Sequence, residues 1–137
     1  MIEIQIKYET SSLLSKKNLI KRTAKQVLTQ KGIKDTELSI LITIDKRIKI
    51  LNKKYRNINK PTDVLSFSQR DCPSFSEGKR GLSLTVPVIL GDIIISADTL
   101  KKQAKIYGKT VDEELRLLVT HGIRHLLGYH HEHRDRK

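Results

Sequence analysis

Two histidines four residues apart, then a glycine and a third histidine, constrain this chain more than any other stretch. The segment reads His121-Gly-Ile-Arg-His125-Leu-Leu-Gly128-Tyr-His-His131. On a helix, residues four apart lie on one face, so the spacing stacks the imidazoles of His121 and His125 one turn apart. Gly128 readily adopts the left-handed conformation that ends a helix. The chain can then turn back and offer His131. Three neutral imidazoles around one cation leave a fourth position open, which distinguishes a catalytic zinc site from a structural one.

The same offsets occur in the zinc-peptidase signature H-E-x-x-H-x-x-G-x-x-H, whose Glu is the general base. Here Gly122 occupies the Glu position. The peptidases of that pattern also need a methionine turn after the third histidine, and the only methionine here is Met1. The metal-ligand spacing is kept while the peptidase equipment is missing. Zinc lowers the pKa of a bound water from about 15.7 to about 7 in favourable sites, which supplies a nucleophile or base without a carboxylate.

The 137 residues carry 27 Lys and Arg against 15 Asp and Glu, a net charge of +12, which points to a polyanionic partner. A phosphodiester suits such a chain better than a peptide. The transition state of phosphodiester cleavage gains negative charge and calls for a cationic partner. Arg56 is a candidate, since a guanidinium grips two phosphate oxygens in a fixed fork; by sequence alone it is one of many basic residues and equally a plain surface charge at a helix end. The lone cysteine, Cys72, excludes an intrachain disulfide and fits a reducing cytoplasm. No stretch approaches the length of a membrane span, and the alternating N-terminus is unlike a signal peptide.

The chain reads as one domain, 1–137, with strands and helices mixed. Alternation at Ile2, Ile4, Ile6 and Tyr8 predicts a half-buried strand. Ser11, Ser12 and Ser15 are candidate caps for a helix over 16–31, closed by Gly32. A β-branched run predicts a strand over 38–44. Asp45 then caps a helix over 46–55, with Ile48, Leu51 and Tyr55 inward and Arg56 closing it. Residues 63–68 form a short strand, and 69–86 a loop with a basic pair at Lys79-Arg80. The apolar run 86–95 is a central strand, and Gly91-Asp92 marks a bulge or a close approach by another element. Ser96 caps a helix with Leu100, Ala104 and Tyr107 inward, ended by Gly108. Thr110 to Glu113 is a capping box opening the histidine helix, whose Leu115, Leu118, Val119 and Leu126 face the core. The expected fold is α+β: a four-stranded mixed sheet with four to five helices, and the HGxxH helix near the C-terminus. That helix passes close to the sheet, where Asp63 or Asp92 is placed to support it, each also suited to a plain turn or capping role.

The terminal segment resembles the H-G-x-L-H-L-x-G-Y-D-H signature of the YbeY family of rRNA-maturation endoribonucleases. Three further blocks of this chain are similar to that family in order: Leu51-Asn52 to Tyr55-Arg56, Pro61-Thr-Asp-Val-Leu-Ser-Phe67, and Leu90-Gly-Asp-Ile93. Two positions depart from the pattern: Arg124 replaces Leu, and His130 replaces Asp. The resemblance implies a zinc-dependent, single-strand-specific endoribonuclease acting in maturation of the small-subunit rRNA 3′ end and in ribosome quality control. It implies one zinc per chain on His121, His125 and His131, His121 also being catalytic. It implies activity for the Arg of the Tyr-Arg pair, here Arg56, and RNA, rRNA and the small ribosomal subunit as partners in the cytoplasm. Two other functions fit the same residues: a non-enzymatic RNA or ribosome assembly factor stapled by zinc, and a metal-dependent hydrolase of another substrate.

Overall fold

The computed structural model describes residues 1–68 and 88–128. Strand β1 (Ile2–Tyr8) leads through a 3-10 turn (Leu14–Lys16) into helix α1 (Lys17–Gln30), strand β2 (Thr36–Thr43) and helix α2 (Asp45–Arg56). Strand β3 (Val64–Ser68), strand β4 (Val88–Ser96), helix α3 (Ala97–Ile106) and helix α4 (Val111–Leu126) follow. The sheet order is β1-β2-β4-β3. Strands β1, β2 and β4 are parallel, and β3 runs antiparallel to β4 at the edge. This is the expected mixed sheet, with β4 inside it.

Strand alternation divides the side chains between two faces. On one face Ile4, Leu38, Ile40, Ile42, Ile93 and Ile95 pack against α1, α3 and α4. On the other, Leu65 and Ile94 pack under Ile48 of α2, with Leu41, Leu51 and Phe67 beside them. With Trp absent from the chain, the fully buried large side chains among the described residues are all Ile and Leu. Helix α1 buries Leu19, Ile20, Ala24, Val27 and Leu28, as its spacing predicts, and Gly32 follows at φ +80°.

The capping box at Thr110 and Glu113 is formed: the Thr110 hydroxyl accepts from Glu113 N–H at 3.1 Å, and Thr110 N–H donates back at 2.9 Å. Ser96 accepts from Thr99 N–H and caps α3. Other caps differ from expectation. None of Ser11, Ser12 and Ser15 caps α1; its cap position is Lys16, entered through the 3-10 turn after Leu13 at φ +70°. Asp45 does not cap its own helix. Its carboxylate accepts from Ser96 Oγ at 2.6 Å and Thr99 Oγ1 at 2.5 Å, while its N–H donates to Asp98 Oδ2 at 3.0 Å. The N-termini of α2 and α3 lie side by side, so each helix satisfies donors of the other.

Two tyrosines expected inward are exposed. Tyr107 is 64% and Tyr55 is 56% exposed. In α2 the buried pair is Ile48 and Asn52. Asn52 donates its amide to the Lys60 carbonyl at 2.9 Å, holding the chain between α2 and β3. The polar clamp turns this face inward and leaves Tyr55 at the rim. The expectations for the loop over 69–86, including Lys79, Arg80 and Cys72, fall outside the described residues.

Candidate metal and phosphate site

Helix α4 carries His121 and His125, both half-buried, on consecutive turns. Gly128 takes φ +93° after the helix and its N–H donates to the His125 carbonyl at 3.0 Å, so the predicted helix stop is present. The third predicted ligand, His131, lies outside the described residues, as does His130. Among the described residues no three potential ligands gather into a metal cluster. The two imidazoles that are described fit a zinc ion in type and spacing.

Glycine at 122 follows from packing. A Cβ there would sit 2.8 Å from Ile93 Cδ1 and 2.9 Å from its Cγ2. Ile93 is fully buried in β4, so α4 lies on the sheet with no room for a side chain at this turn. A peptidase glutamate has no place here: the helix face that would carry it is spent on contact with the strand.

Ser66 of β3 ties this helix to Arg56. Its hydroxyl donates to the Gly122 carbonyl at 3.2 Å, next to His121. Its own carbonyl accepts from Arg56 Nη2 at 2.7 Å. The geometry follows from the antiparallel ladder. Ser96 N–H bonds the Asp63 carbonyl, so 63, 65 and 67 face β4 with their main-chain groups, and the Ser66 carbonyl faces the free edge. Arg56, at the last residue of α2, reaches that edge and lies over the Phe67 ring, with its guanidinium carbon 5.2 Å from the centroid. Asn57, in the left-handed conformation at φ +61°, ends the helix there. Arg56 is exposed, and among the described residues it forms no salt bridge. An exposed guanidinium held by one hydrogen bond to a carbonyl and by one aromatic face is suited to a phosphate.

Asp63 and Asp92 divide. Asp63 is a turn residue: its Oδ1 accepts from Val64 N–H at 2.7 Å. Asp92 pairs with Ser39 and Phe67 in register, on the α2 face of the sheet, away from the histidines. Burial pushes its carboxyl up, against a hydrogen bond from Ser39 and the charge of Lys7. Gly91 just before it sits at φ +148° in a bulge, and a Cβ would collide with the Phe67 carbonyl oxygen and lie 2.9 Å from Leu126 Cδ2. Both readings of Gly91, bulge and close approach, hold.

A family model described as Endoribonuclease YbeY matches residues 2–137. The chain belongs to the YbeY family of endoribonucleases. Among its YbeY relatives, the Aquifex aeolicus protein is 44% identical over 117 residues, covering 85% of this chain and 71% of that protein. The Heliobacterium modesticaldum protein is 43% identical over 99 residues, covering 72% of this chain and 60% of that protein. The Roseiflexus castenholzii protein is 38% identical over 133 residues, covering 96% and 80%. All three are named Endoribonuclease YbeY. A solution structure from Thermotoga maritima superposes with a TM-score of 0.62 at 26% identity, over 98% of this chain and 78% of that one.

Sequence reasoning passes over Ser66 and Glu114. Ser66 stands at an alternate position of a short strand, and nothing in its spacing marks it as the contact between two candidate site residues. Glu114 is 2% exposed in the first turns of α4, where acidic residues are ordinary helix starters. The amide of Gln103, oriented to satisfy its neighbours, donates to Asp63 Oδ2 at 3.1 Å and Glu114 Oε2 at 2.9 Å.

Proposed function

We infer that this chain, an endoribonuclease of rRNA maturation by its family, is a zinc-dependent enzyme specific for single strands. Its domain is 1–137, its substrate lies at the small-subunit rRNA 3′ end, and it works in the cytoplasm beside the small ribosomal subunit. The observation that supports the reading is Ser66, which joins Arg56 to the turn of α4 that carries His121. His121, His125 and His131 would hold the metal. Bound there, zinc supplies Lewis-acid chemistry and makes water acidic near neutral pH. Arg56 binds the phosphate and offsets the charge that grows as the phosphodiester is cleaved. Among the described residues, no helix is long and apolar enough to cross a membrane.

The experiment is cleavage of a single-stranded RNA by Arg56→Ala and Arg56→Lys. Alanine should lower the rate by about 10²- to 10³-fold, as for loss of a transition-state donor. Lysine should not restore it, since a point charge lacks the fork that both Ser66 and phosphate use. Zinc content should stay at the wild-type level in both. Wild-type rates in either variant would remove Arg56 from the mechanism. Peptide cleavage as a second reading is disfavoured by the Gly122 contact with Ile93.

A further inference from the structure

Helix α2 ends in Lys53, Lys54, Tyr55 and Arg56, all exposed. The three cations are what a helix C-terminus favours for its own dipole. An exposed tyrosine does not follow from that dipole. The Tyr55 ring meets the Phe67 ring edge-on, with centroids 5.1 Å apart at 61°, and remains 56% exposed. Lys54 Nζ lies 5.2 Å from the Tyr55 centroid, and Arg56 lies over Phe67. The two aromatic rings therefore pack against each other at the rim of the sheet, with one cation on each: Lys54 at Tyr55 and Arg56 at Phe67. Ile58, 49% exposed, and Lys60 continue the surface.

We propose that Tyr55 is a stacking platform for an unpaired base of the RNA, adjacent to the phosphate held by Arg56. This rests on the reading of the chain as a ribonuclease and deepens it, because it says how single strands are chosen. The backbone of one nucleotide lies against Arg56, and the neighbouring base lies on the exposed part of the Tyr55 ring, which packs against Phe67. Lys53, Lys54 and Lys60 attract the flanking phosphates. The occupant is a single-stranded nucleic acid: +12 net charge and a basic rim demand a polyanion, and an open ring demands a flat partner. A duplex keeps its bases stacked on one another and cannot offer one to Tyr55.

The test uses the full chain, loaded with zinc, and a 2′-O-methyl single-stranded oligonucleotide carrying one 2-aminopurine. Anisotropy gives the affinity, and 2-aminopurine fluorescence reports stacking. Wild type and Tyr55→Phe should both bind and quench. Tyr55→Leu, which keeps the apolar bulk, and Tyr55→Ala should lose the quench and bind roughly 5- to 150-fold more weakly, the range for one base on an aromatic ring. Thermal melts check folding, and the exposed position makes all three substitutions compatible with the fold. If Tyr55→Leu binds and quenches as wild type does, the platform is refuted while the ribonuclease reading stands. If wild type does not bind the single strand at all, both fall.

Discussion

The Ser66 hydroxyl donates to the main-chain carbonyl of Gly122 at 3.2 Å, and both groups are buried. Gly122 lies directly after His121, so this bond sets the height of the histidine turn against the edge strand whose other contact is Arg56. Ser66→Ala removes the donor and leaves the Gly122 carbonyl with its helical partner. The expected loss of stability in urea is about 0.5–1.5 kcal/mol, that of one hydrogen bond. RNA cleavage should fall further than the small stability loss implies, with zinc content retained. A variant that loses stability but cleaves at the wild-type rate would show that Ser66 only supports the fold.

Gly122→Ala puts a methyl into Ile93. Alanine is the better helix former by about 1 kcal/mol, but overpacking a closed core costs about 1–3 kcal/mol. Net destabilisation is expected, measurable as a lower urea midpoint. In an Ile93→Ala background the same substitution should be neutral or stabilising, because the clashing atoms are gone. An equal effect in both backgrounds would mean that the helix does not press on β4 at this point.

Glu114 gives the chain a pH-dependent stability. Burial raises its pKa; Asp63 nearby adds to the rise, and Lys109 opposes it. The folded pKa therefore lies above the unfolded one, so the fold favours the protonated form. The stabilising contribution is complete below the unfolded carboxylate pKa and is lost as pH rises through the folded pKa. Glu114→Gln removes the ionisation and keeps the size. It should raise the melting temperature at pH 8 more than at pH 4, where Glu114 is itself protonated. A gain that is the same at both values would contradict the assignment.

Much of the fold is legible in the residues, for identifiable physical causes. Strands with strict alternation and helices with a closed apolar stripe can be read because burial alone specifies them. The Thr110 capping box can be read because its two bonds are local. Gly91 stands out because a glycine inside an apolar strand forfeits packing, which only a bulge or a close approach repays. Tyr55 and Tyr107 mislead: an amphipathic pattern at a helix end does not say where the sheet beneath it stops. Asp45 looks like a local cap because its partners Ser96 and Thr99 lie far along the chain. For the candidate site, the histidine spacing marks α4 as the candidate metal helix, and the resemblance of the Tyr-Arg pair to the family pattern marks Arg56. That Ser66 joins them depends on which main-chain groups of β3 face the free edge, a matter of strand pairing that no local pattern carries.

The most direct measurement is metal content by mass spectrometry on untagged wild type, His121→Ala and His131→Ala, with cleavage of single-stranded RNA assayed on the same samples. The expected result is about one zinc per chain in the wild type, with metal and cleavage lost together in both variants while each remains folded. A folded wild type that cleaves RNA without zinc, or variants that lose the metal and keep cleaving, would contradict the three-histidine catalytic site. Zinc bound and lost as expected, with no cleavage in any sample, would instead make the metal a staple of an RNA-binding assembly factor.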